Sequence, residues 1–339
     1  MVCRPDRTAT RPGPGARLAL LASLILGLIL SAAGNGASAA DATTLTLVAY
    51  STPREAYEAL MPAFQQTDAG KDIEFETSFG SSGEQSRAVE GGLPADIVAL
   101  SLEPDITRLV KGGLVADDWN AGEEHGMVTD SVVVLAMRKG NPKNIAGWDD
   151  LIKDGVEVIT PNPLTSGGAR WNVMAAYGAQ IKAGKTKDEA VDYLDQLFAN
   201  VPVQDKSARE SLQTFVGGKG DVLLAYENEV ITAQQKGEDL EFIVPDQTIL
   251  IENPIAVVKE TKHAEQAQAF IDYLRTPEAQ RVFGEKGYRP IDPTVLAEFK
   301  DDYPTPATLF SIDDLGGWSD VSKAFFDPTN GIVAKIQQD

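Results

Sequence analysis

Pro161-Asn162-Pro163-Leu164-Thr165-Ser166-Gly167-Gly168-Ala169-Arg170-Trp171-Asn172 joins a strand-like apolar run at 156–159 to a helical pattern that starts near Ala169. The first N–H groups of a helix have no intrahelical partner, so such an entry aims several free donors at one point. Gly167 and Gly168 let an oxyanion come up to the backbone with no Cβ in the way, and Ser166 adds a hydroxyl donor. Anion binding is the chemistry this spacing offers. An isolated Ser-Gly-Gly also reads as a capped helix with a flexible entry, and taken alone that is the simpler reading.

Other reactive side chains offer less. His125 and His263 lie in unrelated contexts, so neither a histidine zinc site nor an activated Ser166 is indicated, and no S-x-x-K motif stands at Ser166. Gly217-Gly218-Lys219-Gly220 has the wrong spacing for a phosphate-binding P-loop. Glu227 and Glu229 are two apart at a strand-to-helix boundary, where they would not share a helix face, which makes glycoside chemistry a weak reading. No catalytic residue, cofactor or metal site is expected.

The elements needed to position the donors are legible as alternation. Short apolar runs at 45–49, 73–77, 97–100, 132–137, 156–159, 201–203, 222–225, 242–244 and 255–258 read as strands, with helical patterns at 54–66, 187–198, 207–216 and 263–274 and a helical, polar tail. This is an α/β pattern of open, mostly parallel sheets flanked by helices. Ligands in such sheets sit beyond the carboxyl ends of strands. Four turns there carry serine: Ser51, Ser81-Ser82-Gly83, Ser166-Gly167-Gly168 and Ser207-Ala208.

The first forty residues read as an export signal. Arg4, Arg7, Arg11 and Arg17 precede a short apolar run at 18–30 and the small-residue cleavage motif Ala37-Ser38-Ala39, so 1–39 is expected to be a cleaved signal peptide. Cys3, the single cysteine, falls inside it, which leaves the mature chain without a disulfide or thiolate. The whole chain carries 30 Lys+Arg against 50 Asp+Glu, a net charge of −20, and the leader accounts for four of the arginines. Such acidity argues against nucleic acid and anionic membrane surfaces as partners. For an anion site the repulsion is screened beyond about 8 Å, whereas aligned N–H dipoles act at contact.

Residues 159–172 closely resemble a segment of the periplasmic sulfate-binding proteins, the capture subunits of sulfate and thiosulfate ABC importers. So do Tyr50-Ser51-Thr52-Pro53-Arg54-Glu55, Ser78-Phe79-Gly80-Ser81-Ser82-Gly83-Glu84-Gln85, Arg138-Lys139-Gly140-Asn141-Pro142-Lys143 and Trp148-Asp149-Asp150-Leu151-Ile152. The resemblance continues, in order, through Asp205-Lys206-Ser207-Ala208-Arg209, residues 220–229 and Tyr288-Arg289-Pro290. It implies a two-lobed periplasmic-binding-protein fold of type II with the ligand in the interlobe cleft. Lobe 1 would hold 44–132 and 253–339, lobe 2 would hold 133–252, and the strands at 132–137 and 251–258 would cross between them. It implies sulfate or thiosulfate held by backbone N–H groups of Ser51, Ser82, Gly167, Gly168 and Ala208, by Ser166 through hydroxyl and backbone, and by the side chain at Tyr226. Arg170 and Arg209 would stand just behind these donors, paired with acids such as Glu84 or Glu227, a plain surface ion pair being the alternative. It further implies a monomeric, non-enzymatic periplasmic protein that closes on its cargo and delivers it to a membrane permease with an ATPase. Molybdate or phosphate capture is the nearest alternative, and an exported serine hydrolase a more distant one.

Two positions depart from the family pattern. Ser51 replaces a frequent Asp, which matters little if only its N–H is used. Tyr226 replaces the Trp of the best-known members, and a phenol can accept as well as donate where indole only donates. A donor-only cleft rejects a protonated oxyanion at a cost of about 1–3 kcal/mol, and Tyr226 would soften that rejection unless its ring simply packs the wall.

Overall fold

The computed structural model describes residues 42–338, and the expected signal peptide at 1–39 lies outside the described residues. Its strands are β1 (Thr43–Tyr50), β2 (Ile73–Gly80), β3 (Ile97–Ala99), β4 (Met127–Arg138), β5 (Val158–Ile159), β6 (Val222–Tyr226), β7 (Leu240–Ile243), β8 (Gln247–Val257) and β9 (Thr308–Phe310). They run in the order β2-β1-β3-β8-β4-β6-β5, with β7 on β4 and β9 on β8. Pairs β1–β2, β1–β3, β5–β6 and β8–β9 are parallel, whereas β3–β8, β4–β8, β4–β6 and β4–β7 are antiparallel. The sheet is therefore mixed rather than mostly parallel. The reason is local: β4 and β8 are the long strands, and each passes from one lobe to the other against the direction of its neighbours.

Alternation along β4 shows how the second lobe is packed. Val133, Leu135 and Met137 face one core with Trp171, Met174 and Leu194, while Val132, Val134 and Ala136 face another with Phe215 and Leu223. Side chains one apart point to opposite faces, so a run that is apolar throughout marks a strand covered on both sides. In the first lobe Leu45, Leu47 and Ala49 of β1 pack on Tyr57, Leu60 and Phe64 of helix Arg54–Phe64, and Val48 faces Ile106 and Leu109. Each such fully buried Leu or Phe contributes about 1.5–3 kcal/mol.

Two sequence expectations need correction. Residues 201–203 form no strand; Val203 makes an isolated bridge to Ile159. The tail is helical, but it is not polar: Trp318, Val321, Phe325 and Phe326 of helix Gly317–Phe326 are buried. Those residues, with Phe310 and Val333, join the core of Trp171 and Val133. Trp318 meets Trp171 edge-on at 4.7 Å between centroids. This wrapping is why helix Gly167–Lys182 can be apolar nearly all round, its flanks being covered by sheet and by the tail.

Candidate functional site

Ser166 ends an extended turn and caps helix Gly167–Lys182, its Oγ accepting the Ala169 N–H at 3.3 Å. The turn is held from within and without: Ser166 N–H donates to Asn162 O at 2.9 Å, Asn162 N–H to Asp205 O at 2.7 Å, and Thr165 Oγ1 to Lys206 O at 2.8 Å. With its lone pair engaged by Ala169, the Ser166 hydroxyl has its proton free. Gly167 and Gly168 follow as the first two helical residues, whose N–H groups have no partner within the helix. The capping and anion readings are thus the same geometry.

Two more helices begin at the same place. Ala208 is the first residue of helix Ala208–Val216, capped by Ser207, whose Oγ accepts from Glu210 N–H at 3.2 Å. Ser82 opens helix Ser82–Glu90. Its hydroxyl is fully committed, donating to Asp105 Oδ2 at 2.6 Å and accepting Ser101 N–H at 2.9 Å, so the backbone N–H is what Ser82 can offer a guest. The neighbouring Gly83 N–H is spent on Thr165 O of the other lobe at 3.1 Å.

Tyr226, at the end of β6, is buried and places its hydroxyl 2.6 Å from Ser101 Oγ. Burial pushes that phenol well above its ordinary value, so it stays protonated. Its ring lies 6.4 Å from that of Tyr50.

Ser51, Ser82, Ser166, Gly167, Gly168, Ala208 and Tyr226 all line one small cavity between the lobes. Tyr50, Thr52, Ser81 and Ser101 complete the lining, and none of these eleven residues carries a charge. Ser101 was not anticipated, although its position directly after the apolar run at 97–100 repeats the strand-then-serine signal of the other turns. Trp171 Nε1 and Asn253 Nδ2 both donate to its carbonyl, at 2.8 and 3.1 Å. Neither His125 nor His263 lines the cavity.

Arg170 and Arg209 stand behind the lining, but not with the acids expected. Glu84 accepts from Ser81 Oγ at 2.8 Å, and Glu227 pairs with Arg289. Arg209 instead holds Glu55 and Glu229, with Nε to Glu229 Oε1 at 2.6 Å. Glu227 and Glu229, held by different arginines, form no acidic pair. Arg170 donates Nε to Pro163 O at 2.9 Å and lies 5.1 Å over the Phe326 ring, in an outer groove. Burial lowers its pKa, opposed by the nearby carboxylate of Asp105.

Arranged in this way, the site can envelop a small anion with N–H and O–H donors and no contacting counter-charge, a use of backbone dipoles suited to a closed, dry space. Comparison with known proteins points the same way. A protein named sulfate-binding protein from Synechococcus elongatus is 42% identical over 94% of this chain and 95% of its own length. The thiosulfate-binding protein of Pseudomonas aeruginosa is 36% identical over 86% and 91%. The solved structure of the sulfate-binding protein SubI from Mycobacterium tuberculosis superposes with a TM-score of 0.82 at 45% identity, covering 84% of this chain and 100% of that one. The family described as "Bacterial extracellular solute-binding protein" matches residues 45–289, and the chain belongs to that family.

Proposed function

We propose that this protein captures sulfate or thiosulfate outside the cytoplasm and delivers it to the permease of an ABC importer, itself turning nothing over. The observation that carries this reading is the meeting of seven residues from five separate stretches of the sequence around a single uncharged cavity. Three helix N-termini supply N–H groups, and Ser166 and Tyr226 supply hydroxyls, to a space that fits one small oxyanion. A fully ionised tetrahedral anion offers acceptors only, which is the complement of such a wall. The names of the relatives support the same cargo.

In this reading the lobes hinge where β4 and β8 pair, near Val132 and Ile251, and the cargo favours the closed state because donors from both lobes reach it only there. The monomer works in the periplasm after loss of residues 1–39. An exported serine hydrolase is disfavoured because Ser166 Oγ is engaged by Ala169 N–H and has no base beside it among the lining residues.

Calorimetric titration of the mature protein with sulfate, thiosulfate, molybdate and phosphate is the test. Saturable one-to-one sulfate or thiosulfate binding is expected, and failure of both to bind would end the proposal. N-terminal sequencing of the exported protein tests the leader, with Ala40 expected first.

A further inference from the structure

The direction of several hydroxyls around the cavity can be followed from their partners. Ser82 Oγ donates to Asp105 and Ser81 Oγ to Glu84, while Ser166 Oγ accepts from Ala169 N–H. Thr52 Oγ1 is 3.1 Å from Tyr288 OH, with either as the donor. In the pair Ser101 Oγ and Tyr226 OH, 2.6 Å apart and buried, either atom can also be the donor; here both members line the cavity, and the Asn253 amide bonded to the phenol only donates, which leaves the choice open. Ser101 is pinned through its backbone alone, by Ser82, Trp171 and Asn253.

We infer that the Ser101–Tyr226 hydroxyl pair lets this site bind a singly protonated tetrahedral oxyanion, hydrogen phosphate being the simplest, as well as a fully ionised one. The inference rests on the oxyanion reading above and extends its substrate class. When Ser101 donates to Tyr226, the phenol proton turns to the guest and the phenol acts on it as a donor. When Tyr226 donates to Ser101, the phenol oxygen presents a lone pair to the guest and the serine proton is released to it. One internal proton reversal thus converts the wall from one that suits sulfate to one that accepts a hydrogen bond from the guest. An indole in place of the phenol has no second state. The ionisable groups nearest the phenol are Tyr50 and Glu229, and neither lies between it and Ser101.

The test is competition calorimetry on the mature protein, with sodium sulfate and then sodium phosphate, at pH values below and above the second ionisation of phosphate. Phosphate is expected to displace sulfate, and its apparent affinity to rise through that ionisation, because the dianion brings one proton to one acceptor; sulfate affinity should stay flat. In Tyr226→Trp and in Ser101→Ala the ratio of phosphate to sulfate affinity should fall roughly tenfold, the size of one unmade buried hydrogen bond. If sulfate binds and phosphate never displaces it, the inference is wrong and the cargo reading stands. If phosphate displaces sulfate but the ratio survives both substitutions, the hydroxyl pair is not the acceptor. If neither anion binds the wild-type protein, and thiosulfate does not either, the cargo reading fails first.

Discussion

Arg209 grips Glu55 with both arms of its guanidinium, Nη1 to Oε1 at 2.7 Å and Nη2 to Oε2 at 2.8 Å. The two residues sit at the starts of helices in different lobes, Arg54–Phe64 and Ala208–Val216. Arg209 also donates to Thr52 O at 3.2 Å, and Lys236 reaches the same Glu55 carboxylate. Ala208, which lines the cavity, is the next residue back along the chain. The contact that joins the lobes and the contact offered to a guest therefore share one helical turn.

Replacing Glu55 with Gln should leave the fold intact and weaken anion binding roughly tenfold, since a charge-assisted hydrogen bond of about 1.5 kcal/mol is lost from the closed form only. Titration calorimetry gives the affinity, and small-angle scattering reads the loss of closure. An unchanged affinity would show that the ion pair does not contribute to closure.

The same carboxylate sets an acid limit. Burial by itself would raise Glu55, but hydrogen bonds from Arg209 and Lys236 outweigh it and bring the group down to about 2. A depressed folded pKa means the stabilisation is complete above the ordinary glutamate value of about 4.3 and drains away as pH falls toward the folded value. The melting temperature of the wild-type protein should consequently drop more steeply over that acid window than that of Glu55→Gln. Parallel curves would rule out Glu55 as the titrating group.

Gly167 and Gly168 should fail differently. A Cβ on Gly168 meets only ordinary contacts, Ala208 Cβ at 3.4 Å and Ser166 Oγ and Tyr226 Cε1 at 3.5 Å, so Gly168→Ala is accommodated while Gly168→Leu fills the cavity and abolishes binding. A Cβ on Gly167 collides with Leu102 and Ser101 of the opposite lobe. Gly167→Ala should hold the lobes apart, seen as a larger radius of gyration in scattering with anion present. A compact, anion-loaded Gly167→Ala protein would contradict the packing.

Arg289 and Glu227 form a buried pair between the lobes, with Nε to Oε2 at 2.8 Å and Nη2 to Oε1 at 3.1 Å. Removing one partner leaves the other charge buried and alone, so Glu227→Gln should cost about 3–5 kcal/mol. Urea unfolding should show a lower midpoint with little change in slope. A loss below the cost of an exposed pair would mean water reaches the site.

Ionic strength provides a further check. An acidic chain repels a dianion at long range, so association should quicken as salt screens that repulsion, the reverse of the usual steering effect. Stopped-flow traces across a chloride series test this, and slowing with salt would place an attractive charge at the cavity mouth.

Much of this site was legible because its donors are local signals. Ser166-Gly167-Gly168 and Ser207-Ala208 announce helix starts from a few neighbouring residues, and each starts its helix at the expected place. Glu55 and Arg209 are 154 positions apart, and which acid an arginine meets is settled by how lobes pack, so Glu84 and Glu227 were as plausible from sequence. The tail misled for another reason: its charges lie on the outer face of helix Gly317–Phe326, and the buried aromatics Trp318, Phe325 and Phe326 are diluted among them.

The wall around the cavity consists of amides and hydroxyls that keep their protons across the neutral range. A wall built like this would hold a fully ionised anion with the same firmness whether its surroundings turn mildly acidic or mildly basic. A mild change of pH would then give no trigger for letting such an anion go.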